Sequence, residues 1–87
     1  MQQPTVGRIV HVLVDPKDNN GSDVAPAIIT RVWGAPDGYP GGAVNIRVLR
    51  DGYPGDSEWM TSIPLYDDEE SARATGLARA AFWPPRA

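Results

Sequence analysis

Ala43-Val44-Asn45-Ile46-Arg47-Val48-Leu49-Arg50 decides the fold. Val44, Ile46 and Val48 recur at every second residue, with Asn45 and Arg47 between them. Strand side chains alternate between two faces, so this stretch reads as a strand with the three aliphatic residues inward and Asn45 and Arg47 outward. Asp-Gly-Tyr-Pro-Gly stands on either side of it, at 37–41 and again at 51–55. Asp-Gly and Pro-Gly form turns. Eight strand residues at about 3.3 Å each separate the two turns by roughly 25 Å, too far for one shared site. Tyr39 and Tyr53 read first as lids on the ends of the fold, and second as exposed aromatic contacts.

Working outward, the pattern repeats. Val6–Val14 is apolar on both faces, with Val10, Val12 and Val14 on one and Ile9, His11 and Leu13 on the other. It stops at Asp15-Pro16, and a polar loop with an Asn20-Gly21 turn follows. Ala27–Trp33 alternates Ile28, Thr30 and Val32 against Ala27, Ile29, Arg31 and Trp33. Glu58–Ile63 sets Trp59, Thr61 and Ile63 on one side, and Pro64, which cannot donate to a ladder, ends it. Residues 67–74 read as a short helical turn opened by acids and closed at Gly76. Ala80–Trp83 then forms a closing strand before Pro84-Pro85.

Short strands joined by Gly/Pro turns, without βαβ spacing, predict a mainly β fold. Residues 1–87 read as one domain. At this size a small barrel of about five antiparallel strands is favoured over an open sheet, because closure protects the edges.

Composition excludes several functions. There is no cysteine, so neither a disulfide nor a thiolate metal site is available. His11 is the only histidine, and its mid-strand place suits packing better than catalysis. The serines at 22, 57, 62 and 71 lack a neighbouring base or a nucleophile elbow. The loop at 15–23 has a passing likeness to a calcium loop, but Pro26 stands where the bidentate glutamate belongs. The reading is therefore no enzyme, no catalytic residues, no metal and no cofactor. The net charge of −3 disfavours nucleic acid. No apolar run approaches the ~20 residues of a membrane span, and no signal peptide is visible.

Arginine makes up seven of the eight basic residues, and Arg8, Arg31, Arg47 and Arg50 fall in predicted strands. Trp33, Trp59 and Trp83 lie near strand ends. One reading has them plugging the barrel. The other lines a groove with one or two of them beside Arg31, Arg47 or Arg50, where guanidinium and indole would receive a ligand. The candidate contact set is Arg31, Trp33, Arg47 and Trp59, with Tyr39 and Tyr53 as outlying members.

Gly7-Arg8-Ile9-Val10-His11, Pro26–Trp33, Val44–Val48, Trp59–Pro64 and Phe82–Ala87 together resemble a family of small proteins of actinobacterial phages and prophages. The resemblance covers most of the chain. It implies an SH3-like barrel and a phage setting, and it transfers no activity or catalytic residue. Family members end in a Trp-His-Trp-Pro-like segment, whereas Ala81-Phe82-Trp83-Pro84 here lacks the histidine and any role it carries. The expected function is a non-enzymatic accessory module in the host cytoplasm that engages a host or phage protein or sequesters a small ligand. The rival is a structural virion protein, a capsid-decorating or connector subunit, with which a homo-oligomer would be compatible.

Overall fold

The computed structural model describes residues 3–34, 42–52 and 57–85. Five strands close into a barrel in chain order: β1 (Ile9–Leu13), β2 (Val24–Gly34), β3 (Ala43–Leu49), β4 (Ser57–Tyr66) and β5 (Ala81–Phe82). A six-residue helix, α1 (Glu69–Ala74), joins β4 to β5. The mainly β, five-stranded architecture is the expected one and is consistent with a small SH3-like barrel.

One pairing departs from the antiparallel expectation. β5 is antiparallel to β1 but parallel to β4. A closed ring with an odd number of strands cannot alternate direction all the way round, so one junction must be parallel. The crossover through α1 places that junction between β4 and β5.

The core follows the alternation. Val44, Ile46 and Val48 are fully buried and meet Val10, Val12, Ala25, Ala27, Ile29, Met60, Leu65 and Trp83 inside the barrel. A second cluster lies outside it, where Leu13, Tyr66, Ala80 and Phe82 cover Ala72 of α1. This explains why β1 is apolar on both faces: Val10 and Val12 fill the barrel, and Leu13 anchors the helix. His11 is half-buried edge-on to Phe82, with centroids 5.7 Å apart, the packed role expected of it.

Element boundaries moved at prolines and turns. β1 starts at Ile9, because a turn at Thr5–Arg8 precedes it, with Gly7 at φ 94°. β2 begins at Val24 and runs through Pro26. The ladder to β3 starts only at Ala27, so the donor that Pro26 lacks is not missed. β4 likewise runs through Pro64 to Tyr66. The amide of Leu65 donates to Gly42 on the β3 side, so the nitrogen of Pro64 faces the other side, where β5 has not yet begun.

The acids before α1 do as predicted. Asp68 caps the helix by accepting from the Ser71 amide at 2.8 Å. Gly76, at φ 73°, receives the helix end. Arg73 then ties the helix to the start of β2. Its Nη1 and Nη2 reach both carboxylate oxygens of Asp23 at 3.0 and 3.1 Å, and its Nε reaches Glu69 at 2.8 Å.

The hydrogen bonds from Arg73 hold Asp23 below the usual carboxylate range, and the Ser71 amide does the same for Asp68. A carboxyl whose pKa is lowered by folding adds stability above its unfolded pKa and loses it as pH falls through the folded value. Asp23→Ala should therefore melt below the wild type at pH 6. The gap should close as melts are repeated down to pH 2.5, with the change falling below pH 4. A gap independent of pH would show that the contact is electrostatically silent.

Candidate interaction face on the barrel wall

The outer wall of β2, β3 and β4 brings four of the six named residues together. Cross-strand register sets Ile9 beside Ile28, Ile28 beside Arg47, and Arg47 beside Trp59, giving one continuous row. The next row pairs Arg31 with Asn45. Arg31 and Trp33 share this wall because Thr30 is an extra residue in β2, between the register points Ile29 and Arg31, and a further shift between Val32 and Gly34 falls on Trp33. The bulge turns Val32 toward the core and leaves Arg31 and Trp33 outside. Tyr39 and Tyr53 lie outside the described residues.

Trp33 is held in place. Its Nε1 donates to Asn45 Oδ1 at 2.8 Å, and the Arg31 guanidinium lies 4.0 Å from its ring centroid. Such a stack contributes about 0.5–1 kcal/mol at an exposed site. The same Asn45 oxygen accepts from Thr61 Oγ1 at 2.8 Å and from the Ser62 amide at 2.9 Å. Those donors belong to a bulge in β4. Val44 pairs with Ile63 and Ile46 with Met60, so Thr61 and Ser62 together oppose Asn45, and Ser62 takes φ 55°. Asn45 was read simply as an outward polar residue. It is buried, and it braces the bulge and the indole at once.

This bulge corrects the reading of β4. Trp59 and Thr61 face outward as grouped, but Ile63 turns inward with Met60 and Leu65. The tryptophans divide between the two readings offered for them. Trp83 plugs the barrel at 3% exposure, with Arg8 5.0 Å from its ring centroid. Trp33 and Trp59 remain 50% and 52% exposed. Ile9 and Leu49 are also exposed large apolar residues of the strands.

Arg50 does not join the wall. It forms an ion pair with Glu58 at the end of the barrel, and Arg79 approaches the same carboxylate at 3.8 Å. These groups line a cleft of about 580 Å³ with Asp15 and Asp18. Three carboxylates and two guanidiniums stand side by side there, so the cleft mixes both signs. Among the described residues no group of three or more His, Asp or Glu side chains is arranged to hold a metal. No helix of the described residues is long and apolar enough to cross a membrane.

The described carboxylates keep away from the wall. The described carboxylates sit at 15–23, Asp51, Glu58 and 67–70, and none lies in the two outward rows that carry Arg31 and Arg47. Comparison with protein-family models, curated proteins and solved structures gives no match to the chain.

Proposed function

We propose that the chain is a non-enzymatic, phage-encoded accessory module that engages another protein through the outer wall of β2, β3 and β4. The observation that carries this reading is the wall itself, where Arg31, Trp33, Arg47 and Trp59 share one surface with both indoles half exposed. Tryptophan and arginine are the residues that dominate protein interfaces, and charged residues other than arginine are depleted there. Trp33 is also fixed before any partner arrives, so little side-chain entropy is lost on binding. A small-molecule site, the other ligand class considered, is concave and encloses most of its ligand. The outside of a closed barrel is convex, which favours a macromolecule.

A photo-crosslinking amino acid tests this in host cells. Placed at Trp59, it should give one discrete adduct, which Arg31→Ala with Arg47→Ala reduces at least tenfold. Placed at Leu77, exposed beyond α1, it should not give that adduct. Equal labelling at both positions, or an adduct at Trp59 insensitive to the two arginines, removes the proposal.

A further inference from the structure

Resting on that reading, we infer that the partner presents an acidic, apolar segment to the wall. Arg31 and Arg47 are its ionic groups, and no described carboxylate shares the two rows, although the whole chain carries a net charge of −3. A complementary surface must therefore be negative where it meets them. The Arg31 guanidinium carbon sits over the Trp33 ring, 4.0 Å from its centroid. A guanidinium carries five N–H donors in a planar fork, and a contact with one ring face does not occupy them all, which leaves donors for a carboxylate. Arg47 stands between Ile28 and Trp59 in its row, with Ile9 beyond Ile28. That row asks for a large apolar side chain close to the acid.

Single-stranded nucleic acid would also meet two indoles and two cations. It fits less well. Two phosphate contacts give only weak attraction, since each adds about 0.7 to the salt slope for single strands. The remainder of the row is isoleucine, where a phosphate-tracking groove would place further cations. A second copy of the chain could offer its acidic run at 67–70, which lines a cleft with Trp83, Pro84 and Pro85, but Trp83 is buried and none of the described exposed large apolar side chains lies in that cleft.

Selection from a random twelve-residue peptide library against the full protein tests the inference. Enriched peptides should carry Asp or Glu within a few residues of Leu, Ile, Phe or Trp. Titrating one of them should shift the indole N–H resonances of Trp33 and Trp59 and leave that of Trp83 in place. R31E with R47E should weaken those peptides at least tenfold and, on fresh selection, enrich Lys- or Arg-bearing ones. Peptides that shift both exposed indoles but lack acids overturn the partner chemistry and leave the wall reading standing. Peptides that shift neither, or no enrichment over bare support, overturn both. Tighter shifts of the same indoles by a twelve-residue oligothymidine assign the wall to nucleic acid. Concentration-dependent shifts of the free protein assign it to a second copy. Either result overturns the inference.

Discussion

Phe82→Ala should lower the unfolding free energy by roughly 3–5 kcal/mol, the usual cost of emptying a buried phenylalanine site. Phe82 is fully buried, and it pairs with His11 on one side and Tyr66 on the other. Its ring belongs to the outer cluster, where it meets Leu13, Tyr66, Ala72 and Ala80. Truncation thus loosens α1 and weakens both junctions of β5 in one step. Small domains have only about 5–15 kcal/mol of total stability, so the variant should be close to unfolding in buffer. Guanidinium titration followed by circular dichroism gives the number, and Phe82→Leu should recover more than half of the loss. A cost under about 1 kcal/mol, small beside the range for such truncations, would mean that β5 and α1 lie outside the cooperative unit.

The second large effect belongs to Asn45. Asn45→Ala removes the acceptor of three donors, Trp33 Nε1, Thr61 Oγ1 and the Ser62 amide. A hydrogen bond contributes about 1 kcal/mol net, and a donor left buried without a partner costs about 1–3 kcal/mol. The Ser62 amide has the least recourse, because the bulge fixes its direction. The hydroxyl can turn and the indole is half exposed. The sum is roughly 2–4 kcal/mol. Asn45→Asp keeps an oxygen acceptor and should retain the Trp33 indole resonance that Asn45→Ala displaces. If alanine costs less than about 0.5 kcal/mol, half of one net hydrogen bond, and leaves that resonance unmoved, Asn45 is no brace. Loss of the brace should also weaken any partner on the wall, because Trp33 would then have to be ordered during binding.

Much of the barrel was legible because its core obeys a period of two. Val44, Ile46 and Val48, and Val10 and Val12, announce their inward face without reference to any other strand. The end of α1 at Gly76 was legible for a local reason, since one residue there must adopt a left-handed conformation. The bulges at Thr30 and at Thr61-Ser62 were not legible. A bulge is an agreement between two strands about which residue to leave unpaired, and neither strand states it alone. Ile63 was therefore set on the wrong face, and the burial of Asn45 passed unnoticed. The signal available was an asparagine in an otherwise aliphatic strand, two residues from the arginine that marks the outer face.

The candidate wall was legible in part. Arg31, Trp33, Arg47 and Trp59 were named from residue type and place, and they do share a surface. Ile9 and Ile28 were read as ordinary strand residues, because exposure of a large aliphatic side chain is decided by register. Pro64 misled for a related reason. It was taken as a strand boundary and β2 was started one residue after Pro26, whereas each proline stands where one flank of its strand has no neighbour.

Closure of the ring between β5 and β1 has a kinetic consequence. β5 is two residues long, and nearly the whole chain separates Phe82 from its partner His11. Closing so long a loop is entropically costly, and few hydrogen bonds reward it. The other four strands are nearest neighbours in sequence and can zip in order as a meander. During synthesis that meander emerges first and waits as an open sheet with β1 and β4 as its free edges. The ring is sealed when Ala81 and Phe82 leave the ribosome. Until that moment the nascent sheet is most open to pairing with the wrong strand.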